Sequence, residues 1–307
     1  MAKNKTRKTT RWLRVARLGL LILLIIGLPC YLIICYFLAD FYTKNDNHGK
    51  IGAYFPSYDG LTYQDISFQS KAKDNPTIRG WFIPHSNSSK VLIKAHGSRG
   101  DRTNFLELNK PLWESGYNLL LFDFQGHGLS DGERFSYCEY ERYDLLNAVD
   151  FLKSKGFKSE SIGIIGWSMG AACSLMAMSL TNDIKAGVFD SAYGDLARVG
   201  YHQLGGPLIP FYFGATVMSR VFWDMDVDII KPEVAITQLG KRHVMLIQGD
   251  SDSVVPVSEA YYLLKAAGDK TVTDFWIVPG ANHVQAYFKQ PDAYLRRVVK
   301  FFDKELA

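Results

Sequence analysis

The chain begins with one long apolar run and then settles into short apolar stretches separated by mixed ones. Residues 18–39, "LGLLILLIIGLPCYLIICYFLA", carry no charge. As a helix rising about 1.5 Å per residue, the run reaches roughly 33 Å, enough for a hydrocarbon core of about 30 Å. A single transmembrane helix is expected there, with a kink at Pro29. Residues 40–60 mix polar, aromatic and turn-forming side chains and read as a stalk. Beyond them the periodicity predicts strands over 63–68, 78–83, 91–95, 118–123, 161–166, 186–190, 244–248 and 273–278. Helical patterns cover 103–115, 139–155, 169–180, 258–267 and 291–306.

Strands alternating with helices predict an α/β domain over 61–307, a mostly parallel eight-stranded sheet with helices on both faces. The first two strands have no helix between them, so the sheet is expected to start antiparallel. One interval breaks the rhythm. Residues 191–242 contain Gly205, Gly206, Pro207 and Pro210 together with Tyr193, Tyr201, Phe211, Tyr212, Phe213, Phe222 and Trp223. An insertion of this size at the C-terminal edge of a sheet reads as a lid.

Charge adds an orientation. Lys3, Lys5, Arg7, Lys8, Arg11, Arg14 and Arg17 form a basic tail over residues 1–17 with no acidic residue, whereas Asp40, Lys44 and Asp46 follow the apolar run. The positive-inside bias puts the N-terminus in the cytoplasm and the larger domain on the extracytoplasmic side of the cell membrane. A cleaved signal peptide fits less well, because the run exceeds an ordinary signal core and no A-x-A-like site follows it. The net charge is +4, yet without the tail 28 Lys and Arg face 31 Asp and Glu. The excess is a topology signal, and no nucleic-acid partner is expected. Of four cysteines, Cys30 and Cys35 lie in the apolar run, and Cys138 and Cys173 fall in expected helices. That spacing suggests neither a disulfide framework nor a metal site, no cofactor is expected, and the redox compartment stays open.

The candidate chemistry centres on Gly166-Trp167-Ser168-Met169-Gly170, which falls between an expected buried strand and an expected helix. Gly-x-Ser-x-Gly at such a corner suits a nucleophile elbow, whose glycines relieve crowding around a serine projecting above the sheet edge. A serine hydroxyl needs an imidazole to take its proton and a third group to orient that imidazole. His48 and His85 lie in linker-like sequence, His202 in the insertion and His243 at a strand start, while His96 and His127 sit in glycine-rich turns. His283, in "VPGANHVQAY", follows the last strand and can hang over the C-terminal edge where open α/β sheets place their sites. The acid should come from a strand end between serine and histidine. Asp252 in "GDSDSVVP" is favoured because Val-Val-Pro would pin its loop, with Asp250 and Asp190 as alternatives. Backbone N–H groups of Met169 and Ser98, the latter in "HGSRG" after the third strand, are expected to form an oxyanion hole.

With "AHGSRG", "DFQGHGLSDG", "GWSMG", "GDSDSVVP" and "GANH" in this order, residues 60–305 resemble the α/β-hydrolase superfamily. Within it the chain is similar to the membrane-anchored bacterial branch of serine aminopeptidase-like and BEM46-like hydrolases. The resemblance implies the α/β-hydrolase fold and a Ser168-Asp252-His283 order. Gln125 stands where arginine is common in the second motif, at a position the mechanism does not use. The expectation is a serine hydrolase cleaving carboxylic esters of small or medium acyl groups through an acyl-enzyme. A peptidase or amidase is the enzymatic alternative, and a membrane-tethered binding protein without turnover is the alternative of another class. Its partners would be a small acyl ester or amide and the membrane; oligomeric state is not legible.

Overall fold

A computed structural model describes residues 2–268 and 271–307, with the backbone alone described for residues 2–10. Of the expected basic tail, residue 1 and the side chains of 2–10 lie outside the described residues. The chain divides into two units: Met1–Tyr42 with Leu204–Met225, and Thr43–Gln203 with Asp226–Ala307.

In the larger unit the strands are β1 (Gln64–Gln69), β2 (Thr77–Ile83), β3 (Val91–Ala95), β4 (Asn118–Phe122), β5 (Ile162–Trp167), β6 (Ala186–Asp190), β7 (His243–Gly249) and β8 (Val272–Val278). They form one sheet in the order β1-β2-β4-β3-β5-β6-β7-β8. The pairs β1·β2 and β2·β4 are antiparallel, and every later pair is parallel. Thus the eight strands and the antiparallel start stand as expected, each end within one or two residues.

The two faces separate by strand alternation. On β3, Val91, Ile93 and Ala95 join one buried cluster with Leu145, Leu175 and Leu263, while Leu92 joins another with Leu112, Tyr294 and Phe302. Helices α4 (Glu141–Ser154), α5 (Met169–Leu180) and α9 (Val257–Ala267) therefore cover the first face, and α3 (Asn109–Glu114) and α11 (Pro291–Glu305) the second. On α11 the pattern is amphipathic: Tyr294, Val298, Phe301 and Phe302 are buried, and Arg296, Lys300 and Lys304 stay out.

Three local expectations change. The helix expected over 103–115 shrinks to a 3-10 turn, Leu106–Leu108, followed by α3. Phe105 takes φ 55°, left-handed for an L residue, and interrupts the pattern. Residue 138 lies in a turn rather than a helix, and Cys138 is disulfide-bonded to Cys173 of α5. Spacing alone hides this pair because the fold brings together a turn and a helix 35 residues apart. The insertion holds α6 (Leu196–Leu204), α7 (Ile209–Trp223) and the short α8 (Pro232–Ala235), and a short α10 (Ala286–Lys289) precedes α11.

The smaller unit holds α1 (Ala2–Ile22) and, as far as Tyr42, α2 (Leu28–Thr43), joined by a π-helical turn at Leu23–Gly27. Pro29 cannot donate a backbone bond one turn back, and the ladder widens just ahead of it. Residues 11–43 form one helical run long and apolar enough to cross a membrane by length and composition. In the larger unit the chain after α2 is tied down at once: Phe135 N–H donates to Thr43 O at 2.9 Å and Gly49 N–H to Gly128 O at 2.7 Å.

Candidate active site

The elbow is built by close packing. A side-chain carbon on Gly170 would overlap the carbonyl oxygens of Ala95 and His96, and one on Gly166 would run into the Gly170 backbone. Both positions therefore require glycine. Between them Ser168 sits at φ 52°, ψ −120°, an unfavourable conformation for a residue with a side chain. Its N–H donates to Asp190 O at 2.9 Å, and its own carbonyl accepts from Ala172 N–H at 3.1 Å as α5 begins.

The structure brings Ser168, His283 and Asp252 together. Ser168 Oγ lies 2.8 Å from His283 Nε2, and His283 Nδ1 lies 2.9 Å from Asp252 Oδ2. With Asp252 ionised, Nδ1 carries the proton and Nε2 is left to accept from the serine hydroxyl. The Asp252 carboxylate is heavily held. Oδ1 accepts from Val254 N–H at 2.9 Å and Val255 N–H at 2.8 Å, and Oδ2 also accepts from Gln248 Nε2 at 2.8 Å. The loop after β7 is thus pinned around Asp252 by the backbone of Val254 and Val255.

The other two aspartates do different work. Asp250 Oδ1 accepts from Gly280 N–H at 2.7 Å and Ser251 Oγ at 2.9 Å, joining two loops on the surface. Asp190 is fully buried at the end of β6, accepts from Ser191 Oγ at 3.0 Å, and burial pushes its pKa up to about 7. Ser191 Oγ in turn accepts from Val284 N–H at 3.0 Å, so the residue after His283 is fixed from the sixth strand. Val284, β-branched, is held at φ 51°.

Met169 is the first residue of α5, and Ser98 lines the same cavity as Ser168. The turn carrying Ser98 is braced from behind. His127 Nε2 accepts from Arg99 N–H at 3.2 Å while its Nδ1–H donates to Gln125 O at 2.9 Å, and His96 Nε2 accepts from Phe124 N–H at 3.0 Å. Burial pushes both imidazoles below their ordinary pKa, which keeps them neutral acceptors. Arg102, beside that turn, is buried and donates from Nε and Nη2 to the single oxygen Asp123 Oδ2 at 3.0 and 2.6 Å, while its backbone N–H donates to Oδ1 at 2.7 Å, so it braces the fold.

Several contributors escaped the sequence reading. Asn282 Oδ1 accepts from Ser253 N–H at 2.9 Å and from His283 N–H at 2.7 Å, stapling the acid loop to the base loop. Lys94, within a strand read only as apolar, is buried; its Nζ donates to Phe105 O at 2.8 Å and to Asn109 Oδ1, and lies 5.7 Å from the Trp167 ring centre. Burial pushes its pKa down to about 7. A buried lysine looks like any other inward position until the loop it anchors is seen.

That loop walls a cavity of about 480 Å³ next to Ser168 and His283, the size of a small-molecule site. Phe105 stacks on Trp167 at 4.3 Å between ring centres, and Phe288, Val254 and Val284 extend the apolar wall. Glu107 contributes one carboxylate. Among the described residues no cluster of His, Cys, Asp and Glu has the makings of a metal site. An imidazole between a serine and an ionised carboxylate can move a proton, and the cavity beside it can hold a carbonyl compound.

Residues 108–307 match the prolyl oligopeptidase family. The Bacillus subtilis protein YqkD is 28% identical over 236 residues, covering 74% of this chain and 75% of its own. Among solved structures, the Pyrococcus furiosus esterase Pf2001 superposes with TM-score 0.70 at 26% identity, over 87% of this chain and all of its own. The acylaminoacyl peptidase of Pyrococcus horikoshii shares the fold, with TM-score 0.59 at 17% identity over 81% of this chain and 43% of its own. With the sheet order, the elbow and the family match in agreement, this chain belongs to the prolyl oligopeptidase family of α/β hydrolases and is a serine hydrolase of that type.

Proposed function

We propose that the protein hydrolyses carboxylic esters of small or medium acyl groups, with Ser168 as nucleophile, His283 as general base and acid, and Asp252 as its orienting partner. The observation that carries this reading is the unbroken chain Ser168 Oγ, His283 Nε2, His283 Nδ1, Asp252 Oδ2, at 2.8 and 2.9 Å. As Ser168 Oγ attacks the substrate carbonyl, its proton passes to His283 Nε2, and Asp252 stabilises the imidazolium. The carbonyl oxygen becomes an oxyanion facing the N–H groups of Ser98 and Met169, each such donor contributing typically 10²–10³ in rate. Collapse breaks the bond to the leaving alkoxide, which takes the proton from His283. Water, deprotonated by the same imidazole, then releases the acid and restores Ser168. The apolar wall of Phe105, Trp167 and Phe288 supports an uncharged acyl group, and the similarity to the Pyrococcus furiosus esterase points the same way.

A second reading, peptide or amide hydrolysis, draws on the family match and on Glu107, whose carboxylate at the cavity would suit an amine. Comparison of p-nitrophenyl esters with aminoacyl p-nitroanilides separates the two. The ester reading expects kcat/KM to rise from acetate to a short or medium acyl chain, each buried methylene adding up to about fourfold, and the anilides to be poorer. Faster anilide cleavage, weakened by Glu107→Gln, would make the protein a peptidase. Turnover of neither class would leave a tethered binding protein. We also propose that the apolar N-terminal helix anchors the protein in the cell membrane with its N-terminus cytoplasmic.

A further inference from the structure

Helix α7 has its polarity inside out. The side chains it buries are Gly214, Thr216 and Ser219, whereas Phe213, Val217, Val221 and Phe222 are exposed at 53, 49, 70 and 57%. Residues 213, 217 and 221 recur every four positions and form one stripe along the helix. Helix α11, at the same length, does the reverse and keeps its aromatic residues inside. Water does not favour the α7 arrangement, since an exposed valine or phenylalanine forgoes the stabilisation of burial at each position of the stripe.

The buried side of α7 meets α2 within the smaller unit. Gly214 faces Cys35 and Tyr31, and a side-chain carbon there would overlap the Cys35 sulfur. Tyr31 Oη donates to Pro210 O at 2.7 Å, the Tyr31 ring lies 5.3 Å from Phe211, and Tyr36 lies 5.1 Å from Phe222 and 5.6 Å from Trp223. Close approach over a small residue is how helices associate in lipid, where no hydrophobic gain separates one apolar surface from another. The hydroxyls agree: Thr216 Oγ donates to Phe213 O and Ser219 Oγ to Thr216 O, both at 2.9 Å, so each is satisfied by the helix's own backbone.

We propose that α7 is seated in the lipid bilayer beside the anchor, its stripe of Phe213, Val217 and Val221 facing hydrocarbon. The occupant follows from continuity with the anchor. The surface that α7 joins, residues 31–36, belongs to the C-terminal half of a helical run long and apolar enough to span a membrane. At about 1.5 Å per residue its 15 residues reach roughly 22 Å, short of a full crossing. The helix therefore occupies the leaflet that holds the C-terminal half of the anchor. Trp223 and Arg220 near its end are side chains suited to the interface. The insertion read from sequence as a lid is thereby also a second membrane contact, which holds the chain at two points. This inference rests on the N-terminal helix being a membrane span, and the test separates the two.

Full-length protein with Cys30→Ser and Cys35→Ala, its Cys138–Cys173 bond intact, is given a single nitroxide-labelled cysteine and reconstituted in phosphatidylcholine and phosphatidylglycerol vesicles. The sites are Val217→Cys, Val221→Cys, Ile33→Cys in the anchor and Ser89→Cys in an exposed polar loop; all four positions are exposed, so the fold tolerates the label. Collision with oxygen reports lipid, and collision with a water-soluble nickel chelate reports solvent. At 217 and 221 the oxygen-to-nickel ratio should match that at 33 and exceed that at 89. Ratios at 217 and 221 like that at 89, with 33 in lipid, would overturn the inference and leave the anchor standing. Exclusion of both reagents at 217 and 221 would mean that a second copy covers the stripe, also overturning it. Water at 33 would remove the anchor, and this inference with it.

Discussion

At the scale of single residues, the site depends on how each carboxylate is held. Asp252 receives hydrogen bonds from two backbone N–H groups, an amide and an imidazole, all of which the ionised form satisfies. Asp252→Asn should leave the fold intact and lower kcat by about 10⁴, since the amide no longer selects the tautomer of His283. Asp250→Asn, which disturbs only a surface contact between loops, should cost far less; comparable losses in steady-state kinetics would move the acid. Asp190 gives a pH test. Its folded pKa, raised to about 7 by burial, exceeds its unfolded value, so between about pH 4 and 7 the folded state binds the extra proton. Its contribution to stability is greatest at acid pH and is lost as pH rises through 7. The neutral Asp190→Asn variant escapes this loss, and its Tm relative to the parent should climb from pH 5 to pH 8. A flat difference would mean that Asp190 is ionised throughout. What was legible in the sequence at this scale was the candidate set that the fold brings into hydrogen-bond contact, Ser168, His283 and the Asp252 loop, each marked by neighbouring glycine or proline. Lys94, Gln248 and Asn282 were illegible because their polarity is answered by partners that only the folded chain supplies.

At the scale of elements, strands and the longer helices were readable because their periodicities are two and 3.6 and their breaks are punctuated. The expected helix over 103–115 failed where a tertiary bond, Lys94 Nζ to Phe105 O, fixes a left-handed residue inside a helical pattern. The Cys138–Cys173 bond was hidden for a related reason. It ties the turn before α4 to the elbow helix and closes a segment of 35 residues, a constraint on the unfolded chain worth about 2–4 kcal/mol. Reduction of the larger unit's disulfide in the full chain should therefore lower Tm measurably, and Cys173→Ala should lower it to the same value, insensitive to reductant. An unchanged Tm after reduction verified by mass spectrometry would contradict this.

At the scale of the whole molecule, the chain combines a hydrolase domain with an apolar helix, none of whose described residues belongs to the domain's two buried clusters. The disulfide is of the kind that persists in oxidising compartments, which supports the proposed extracytoplasmic side for the domain. Protease added to spheroplasts should remove the domain beyond residue 43 and leave an N-terminal epitope protected; a protected domain would reverse the orientation. The insertion was the least legible part. Its aromatic residues read from sequence as a lid, and the pairing of Phe211, Phe222 and Trp223 with α2, far away in sequence, has no local signal.

The central claim, that Ser168 is a nucleophile activated by His283, has a direct measurement. The full chain in its native membranes, treated with a fluorophosphonate probe, should be labelled covalently at Ser168. Ser168→Ala should lose the label completely while keeping the parent's Tm. A Ser168→Ala protein that is labelled as fast as the parent would contradict the account.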